Sequence, residues 1–457
     1  MTKSKIWSGR FSQQTASLME EFSSSISFDK KLFDADIAVN KAWADALTDV
    51  GIYTQEEVVK VRKALDNIQS DYHAGKLNFL TTDEDIHTAN ERWLTERLGD
   101  LGARIHTGRS RNDQVVTDLR IYLRSQIDEL MDVLKSLQNV LVNLAQDHIT
   151  TILPGQTHLR QAQPISFSHY ILSFFFQLQR DKERFLDAKK RMNKLPLGSG
   201  AIAGAAFEID RFRLAESLGF ETPTENSYDA TSDRDFVLEV LYVCAQIMLH
   251  LSRNAEDLII WSSEPFRFID IHEKYATGSS MMPQKKNPDS LELIRGKTAR
   301  VIGNHVAGLT LMKGIPTAYV RDLQEDKEPV FDSLEQTKNS IEILTGICES
   351  FTINEHQMQN AIDPALYATD LADYLVRKGL PFRTAHSIVG SIVATAEKKK
   401  LSLQDLGLGE YKNFSPLFEP DVYQLFDPLE SINKRNIFGG TGPKSILIQL
   451  ESAKSYI

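Results

Sequence analysis

The longest hydrophobic pattern in the chain runs from Asp113 to His148 without a proline or a glycine. Its apolar residues recur at steps of three and four, at Val116, Leu119, Leu123, Ile127, Leu130, Leu134, Leu137, Leu141 and Leu144. This is the period of an α-helix, and about 35 residues at about 1.5 Å each make a helix of roughly 50 Å. One small core cannot bury the stripe of so long a helix, so the pattern predicts a bundle.

Further segments with helical period follow, bounded by proline, glycine or capping residues. They are 164–194, 229–262, 288–313 and 324–351. The helix within 229–262 is apolar on most of its circumference, which is typical of a helix surrounded by others. No alternating run is long enough to indicate a substantial sheet. The sequence therefore predicts an all-α fold with an N-terminal helical domain over 1–112, a central long-helix bundle over 113–360 and a small helical domain over 361–457.

The charge balance narrows the classes of partner. The 457 residues include 52 Lys plus Arg and 62 Asp plus Glu, a net charge of −10. This balance disfavours nucleic acid and anionic membranes. Two cysteines are too few for a disulfide framework, and neither an apolar leader nor a run of eighteen apolar residues occurs. We expect a soluble, cytoplasmic protein, in which any anionic substrate would need a local cluster of cations.

Polar motifs lie at the ends of the long helices. "HTGRSRNDQ" places Arg111 and Asn112 just before the first of them, where cationic side chains and free backbone N–H groups favour an anion. A helix cap with solvated arginines is an equally weighted alternative. "PGQTHLRQAQP" joins the first two long helices and holds His158 in a constrained polar loop. A solitary histidine is usually structural, but an imidazole in such a loop can titrate near neutral pH.

The segment "TGSSMMPQKKNPDSLE", 277–292, is a loop that leads into a helix near Pro288. Lys285 can stabilise a developing carboxylate charge, and Gly278 with neighbouring amides can lower the cost of an ionised Ser279. A solvated connector is the alternative, although two adjacent methionines have little use in one.

Two other polar stretches contain candidate site residues, and no cofactor or metal motif is found. "YVRDLQEDKE" sets Tyr319, Gln324 and Lys327 at the entry to the fifth long helix, and "TTDEDIHTANER" sets His87 in what we interpret first as a capped surface helix. "GSGAIA" follows a helix rather than a strand, so it is no dinucleotide fingerprint, and the histidines lack metal-ligand spacing. An imidazole, an activated hydroxyl and several cations, with no expected metal or cofactor, suit an elimination next to a carboxylate.

These motifs resemble those of the argininosuccinate lyase family. "GSSMMPQKKNP" is similar to the signature loop of the fumarase/aspartase superfamily, to which that family belongs. "HTGRSRNDQ", "THLRQAQP", "PLGSGAIAG", "DATSDRDF" and "DLQEDKE" resemble the family's own motifs, and the resemblance runs from "IWSGRF" to "GGT". The chain departs from the family pattern at Gln156, where Tyr is usual, at Ser8, where Gly is usual, and at Val320 and Arg321, which replace Asn-Lys.

The resemblance implies an activity and an assembly. The implied reaction is the reversible cleavage of argininosuccinate to arginine and fumarate, a step of arginine biosynthesis that needs neither metal nor cofactor. The implied assembly is a homotetramer with a helical core, in which each active site takes motifs from three subunits.

The resemblance also implies a role for individual residues. Ser279 and His158 form the acid/base pair, and we favour Ser279 as the base because the cations of its loop can stabilise an alkoxide. Glu292 orients His158, and Lys285 stabilises the dianionic aci-carboxylate intermediate. The residues expected to bind substrate are Ser25, His87, Arg111, Asn112, Thr157, Asn287, Tyr319, Gln324 and Lys327.

Two alternatives stay open at this stage. One is a lyase of the same superfamily that acts on adenylosuccinate, which would need a nucleotide pocket. The other is a crystallin-like structural protein with little activity, against which the intact acid/base pair argues.

Overall fold

The structure is a computed structural model that describes residues 15–457. Ser8 and the "IWSGRF" motif therefore lie outside the described residues. The predicted all-α fold is confirmed: the described residues form nineteen α-helices and eight short strands. The first six helices are short or of medium length: α1 (Ser17–Ser23), α2 (Ile26–Asp29), α3 (Phe33–Asp49), α4 (Gln55–His73), α5 (Ile86–Leu98) and α6 (Asp100–Ala103).

Five long helices follow, with shorter helices between them. In chain order this part contains α7 (Arg111–Asp147), α8 (Phe167–Met192), α9 (Arg211–Ser217), α10 (Ser227–Ser232), α11 (Asp235–Ser262), α12 (Asp289–Met312) and α13 (Lys327–Ser350). The C-terminal part contains α14 (Glu355–Asn360), α15 (Ala368–Arg377), α16 (Phe382–Lys399), α17 (Leu408–Phe414), α18 (Pro428–Asn433) and α19 (Pro443–Ser455).

The strands form four two-stranded pairings. The longest is an antiparallel hairpin of β1 (Ile152–Thr157) and β2 (Arg160–Ser166). The remaining strands are two residues each: β3 (Lys194–Leu195) with β4 (Thr222–Pro223), β5 (Ile269–Asp270) with β8 (Thr352–Ile353), and β6 (Thr277–Gly278) with β7 (Lys286–Asn287). Pairings this small stabilise loops and do not form a separate hydrophobic core.

The hydrophobic stripe predicted the position of α7 closely. The helix has 37 residues, or about 55 Å at about 1.5 Å per residue, and begins two residues before the pattern does. Eight of the nine predicted stripe residues are at most 1% exposed, and only Leu144 is half-buried. The inward-facing residue of that last turn is Ala145 instead.

Two of the predicted long helices have different limits. Pro164 does not begin a helix; it pairs with Pro154 in the hairpin, and α8 begins at Phe167. The segment predicted as one helix from 229 is broken before Asp235, because the carboxylate of Asp233 accepts the backbone N–H groups of Arg234 at 2.6 Å and Asp235 at 3.0 Å. An acidic cap of this kind starts a new helix.

The apolar helix α11 has the length and hydropathy of a membrane span, with a mean hydropathy of 1.4 over its most apolar window. Of that window, 61% is buried inside the protein. A helix enclosed by its neighbours passes the same test, which agrees with the apolar circumference read from the sequence.

The described chain divides into two compact units. The first takes residues up to 131 together with 183–245 and 300–336, and the second takes 132–182, 246–299 and 337–457. Each of the five long helices has one end in each unit. In the second unit α15, α16 and α17 enclose a core that includes Leu371, Ile392, Tyr411 and Phe418. The three-domain division stays a prediction.

Candidate active site

The turn of the β1–β2 hairpin consists of His158 and Leu159. Both have left-handed backbones, with φ of 55° and 56°. Two-residue hairpin turns require such angles and normally use Asn-Gly, because a Cβ makes this region unfavourable. Thr157, the last residue of β1, and His158 are both exposed. A pair of non-glycine residues in this conformation at an exposed tip makes the turn a candidate functional position.

The hairpin is fixed to the second unit at several points. A Cβ on Gly155 would lie 2.9 Å from the carbonyl oxygen of Gln163, so the two strands approach too closely there for any other residue. The side chain of Gln161 donates to the carbonyl of Ala361 at 2.8 Å and accepts the N–H of Asp363 at 3.1 Å. These contacts hold the turn that presents the imidazole.

The loop between β6 and β7 has a fixed base and an exposed tip. Lys286 donates to both carboxylate oxygens of Asp270 at 2.9 Å, and the hydroxyl of Thr277 donates to Asp289. The tip residue Met281 is 86% exposed. The sequence predicted a loop here, but not the short strand pairing that anchors it.

The hydroxyl oxygen of Ser279 accepts two backbone hydrogen bonds. Its donors are the N–H groups of Met281 at 3.3 Å and Met282 at 3.1 Å. Two preorganised N–H donors stabilise negative charge on an oxygen, which is what an alkoxide base requires. The neighbouring amides that serve Ser279 are therefore those of the two methionines.

The other predicted residues of the second unit lie around this loop. Lys285 is exposed, and its ammonium makes no ion pair with any residue from 15 to 457. Asn287 ends β7 and lines a cavity of about 640 Å³. Glu292, in the first turn of α12, lies 3.8 Å from Arg295. Within the described chain, no hydrogen bond or ion pair joins His158 to Ser279 or to Glu292.

In the first unit, Arg111 begins α7 and is surrounded by acceptors. Its guanidinium donates to Gln114 at 3.0 Å and to the hydroxyl of Thr88 at 3.3 Å, and it lies 3.5 Å from Glu91 and 3.7 Å from Asp85. Burial alone would lower the pKa of Arg111, but the two carboxylates raise it above its ordinary value. Arg111 is a fixed cation at a helix N-terminus, as an anion site requires.

The next residues connect α7 to the "GSGAIA" segment. Asn112 donates to the carbonyl of Ala201 at 3.3 Å. The buried carboxylate of Asp113 accepts the N–H groups of Gly198 at 3.0 Å and Gly200 at 2.8 Å. Both glycines have positive φ, and burial raises the pKa of Asp113 to about 6. The glycine-rich segment therefore supports the start of α7, in agreement with its rejection as a dinucleotide motif.

Ser25 and Lys327 are buried and held by carboxylates. The hydroxyl of Ser25 donates to Asp29, and the ammonium of Lys327 donates to Asp326 at 3.1 Å. Burial alone would lower the pKa of Lys327, but Asp326 and Asp29 raise it. Arg234 also donates to Asp326, at 2.7 Å. Nearby in sequence, Tyr319 and Gln324 are half-buried, and Gln324 lies in the 3₁₀ turn Arg321–Asp326 that precedes α13.

The structure places His87 in the interior, so the surface interpretation of its helix is wrong at this residue. His87 is 2% exposed, and its Nδ1 lies 2.9 Å from Asp36 and 3.1 Å from Asp118. Burial alone would lower the pKa of His87, but the two aspartates raise it to about 10. The predicted cap is confirmed, since Asp85 accepts the N–H of Thr88 at 2.6 Å. With these partners His87 joins α3, α5 and α7, and its predicted contact with substrate stays a prediction.

The ligand atoms of Asp36, His87 and Asp118 lie within 4.8 Å of one another, which raises the question of a metal. Asp36 also accepts amide N–H groups from Asn40 at 2.8 Å and Asn90 at 2.7 Å. Asp36 is already surrounded by hydrogen-bond donors, and the raised pKa of His87 disfavours the neutral imidazole that a metal ligand requires, so the cluster fits a buried ion network better than a metal site. Neither aspartate was predicted as a site residue, although each is a carboxylate on the apolar side of a helical pattern.

Replacing His87 with glutamine is expected to lower the free energy of unfolding by about 3–5 kcal/mol, because the buried carboxylate of Asp36 loses its cation and Asp118 loses the neighbouring imidazole. A raised histidine pKa stabilises the fold fully below the ordinary value of 6.5, and this contribution is lost as pH rises towards about 10. Chemical denaturation at pH 6 and pH 9.5 measures both effects. The difference in free energy of unfolding between wild type and variant should be smaller at pH 9.5 than at pH 6.

The control is His73→Gln. His73 also lies 2.9 Å from an aspartate, Asp34, but its side chain is 54% exposed. Loss of such a surface pair is expected to change stability by less than about 1 kcal/mol. An equal effect of the two substitutions would contradict the assigned role of the buried cluster.

Family models and curated relatives identify the same protein family for this chain. Residues 9–303 match the lyase family, and residues 365–433 match the family described as argininosuccinate lyase C-terminal. Similar curated proteins include the argininosuccinate lyases of Bacillus mycoides (strain KBAB4) and Bacillus cereus (strain ATCC 14579). Each is 49% identical over 452 residues, which cover 99% of this chain and 98% of the relative.

Solved structures share the fold. The crystal structure of EDDS lyase in complex with formate is 27% identical, with a TM-score of 0.85 over 97% of this chain and 90% of that one. A recombinant class II fumarase from Schistosoma mansoni is 16% identical, with a TM-score of 0.77 over 91% of this chain and 94% of that one. At 16% identity, the similarity to the fumarase shows a shared fold and nothing about function.

Proposed function

Because this chain belongs to the argininosuccinate lyase family and is a carbon–nitrogen lyase, we propose that it cleaves argininosuccinate reversibly to L-arginine and fumarate. The observation that carries the proposal is the 49% identity to curated argininosuccinate lyases along 99% of the chain. The site geometry agrees with it, since the hydroxyl of Ser279 is prepared to carry negative charge.

The proposed reaction is a β-elimination by an acid/base pair. Ser279, as an alkoxide held by the amides of Met281 and Met282, takes the proton from the carbon next to the carboxylate. Lys285 faces the carboxylate as its charge increases to that of a dianion. The carbon–nitrogen bond then breaks, the carbon–carbon double bond forms, and His158 donates a proton to the departing guanidino nitrogen. Glu292 of another subunit would orient the imidazole.

Substrate binding is proposed for residues of both units. Thr157 and Asn287 flank the two catalytic loops, and the others belong to the first unit: Ser25, Arg111, Asn112, Tyr319, Gln324 and Lys327. Arg111 and Asn112 supply a cation and an amide at a helix N-terminus, which suits a substrate carboxylate.

We propose a homotetramer that works in the cytoplasm, in arginine biosynthesis. Apolar side chains remain exposed along the described bundle helices, at Tyr242 and Leu249 of α11 and at Leu293, Ile302, Val306 and Leu309 of α12. The spacing of Ile302, Val306 and Leu309 places these three on one face of α12, and an exposed apolar face is typical of a surface covered by another subunit. Association through these helices would bring loops of different chains together.

The alternatives predict different results in one assay. An adenylosuccinate-type lyase would act on a nucleotide substrate, and a crystallin-like protein would act on neither. The relatives reported above favour argininosuccinate, and incubation with each substrate separates the three possibilities.

The purified protein, with no added metal or nucleotide, is expected to release fumarate from argininosuccinate, followed as ultraviolet absorbance. The proposed site supplies its charges from Lys285 and Arg111, so a chelator should leave the rate unchanged. Loss of activity with chelator would contradict the cofactor-free mechanism. Activity on adenylosuccinate alone would overturn the proposed substrate.

A further inference from the structure

Arg321 joins two segments that lie far from it in sequence. One nitrogen of its guanidinium, Nη2, donates to the carbonyl oxygen of Ser23 at 2.6 Å and to the carboxylate of Glu84 at 2.6 Å. Arg321 lies between Tyr319 and Gln324, and Ser23 is two residues before Ser25. The side chain therefore connects two parts of the chain that carry proposed substrate-binding residues.

Glu84 strengthens the same junction through its backbone. Its carbonyl oxygen accepts the N–H of Ser25 at 2.8 Å and the hydroxyl of Ser24 at 3.3 Å. The next residue, Asp85, caps α5 and lies 3.7 Å from Arg111. The turn at 84–85 thus contacts Ser25 on one side and Arg111 on the other, and Arg321 adds a third segment to it.

We propose that Glu84 and Arg321 form a positioning clamp that sets the relative placement of the substrate-binding segments at Ser25, Tyr319 and Arg111. The inference rests on the proposed function of these segments and adds two residues to it. Neither Glu84 nor Arg321 is proposed to contact the reacting atoms, so both act through the residues that they hold.

The clamp requires a cationic hydrogen-bond donor at position 321. This chain has Arg321 there, preceded by Val320. One terminal nitrogen of the guanidinium donates to both the carbonyl of Ser23 and the carboxylate of Glu84, and the ammonium of a lysine also has more than one N–H to donate. Valine has no side-chain donor, so the side-chain hydrogen bonds at this point of the chain come from Arg321.

The clamp should affect substrate binding more than stability. The side chain of Arg321 is 54% exposed and that of Glu84 is 22% exposed. Surface ion pairs at such exposure contribute about 0–1 kcal/mol to stability. The acid/base residues Ser279 and His158 belong to the other unit, so losing the clamp should weaken binding while leaving the chemical step largely intact.

The test compares KM and kcat for Arg321→Gln, Arg321→Lys and Glu84→Gln. We expect Arg321→Gln and Glu84→Gln to raise KM for argininosuccinate about tenfold with kcat within about threefold of wild type, the pattern of lost uniform binding. Arg321→Lys keeps the charge next to Glu84 and should recover most of the affinity. Melting temperatures of all three should stay within about 3 °C of wild type.

The matched control is Arg213→Gln. Arg213 donates to Asp49 at 2.8 Å, is 67% exposed and lies in the same unit. Asp49 ends α3, a helix that contains no proposed substrate-binding residue. Its KM should not change. An unchanged KM in Arg321→Gln and in the isosteric Glu84→Gln, with active wild type, would overturn the clamp alone. Equal losses of kcat and melting temperature would assign the pair to the fold instead. An inactive wild type would overturn the proposed function and the clamp with it.

Discussion

Ser279→Ala and His158→Asn are each expected to lower turnover by about 10²–10⁴, the usual effect of losing a general acid or base. Ser279 is the one hydroxyl of its loop that accepts the amides of Met281 and Met282. His158 occupies an exposed turn whose backbone is held by other residues. Initial rates of fumarate release at saturating argininosuccinate measure the effect for both variants.

The two substitutions should leave the fold intact, because neither side chain belongs to the apolar core of the helices. Ser280→Ala provides the control for the loop: Ser280 is exposed and adjacent, and the structure shows no side-chain hydrogen bond for it within residues 15–457. Its turnover should stay close to wild type. A Ser279 or His158 variant that keeps more than about a tenth of wild-type turnover would remove that residue from the acid/base pair.

An inactive Arg111 variant and an inactive His158 variant are expected to restore activity when they assemble together. Arg111 begins α7, whose 37 residues separate its ends by about 55 Å. The eleven residues from Asp147 to His158 can recover at most about 36 Å of that distance even when fully extended. The remaining gap is about 19 Å, so if both residues serve one site, we expect them to come from different chains.

Random mixing leaves both groups intact at about one site in four, so co-expressed, doubly tagged oligomers should recover about a quarter of wild-type activity. Ser279→Ala mixed with Lys285→Ala is the negative control, because one loop of one chain carries both residues and no mixed site can have both. Purified mixed oligomers of Arg111 and His158 variants with no activity would show that each site is built within one chain, or that one residue is misassigned.

Periodicity predicted the long helices well because their burial follows from local spacing. The stripe of α7 is an example, since a run of apolar residues at helical steps has few other ways to be buried. The errors occurred where one polar or cyclic residue decides the local structure. Asp233 caps a new helix inside an apolar pattern, and Pro164 extends a hairpin although proline also begins helices.

The candidate site was harder to predict, because its geometry depends on partners distant in sequence. His87 looked exposed beside acidic neighbours, but its partners Asp36 and Asp118 are 51 and 31 residues away. The turn at His158 and Leu159 lacks the glycine or asparagine that signals a tight hairpin turn. Motif resemblance singled out the two loops that are proposed to be catalytic, whereas the amide donors of Ser279 became visible only in three dimensions.

The left-handed turn at His158 and Leu159 limits how this protein can be made more heat-tolerant. Each non-glycine residue in that conformation costs on the order of 1 kcal/mol, so an Asn-Gly pair would be the obvious stabilising replacement. The first of those two positions holds the imidazole and cannot be exchanged without losing it. An engineer therefore has only Leu159 to alter, and must look to the long helices for the rest of any gain.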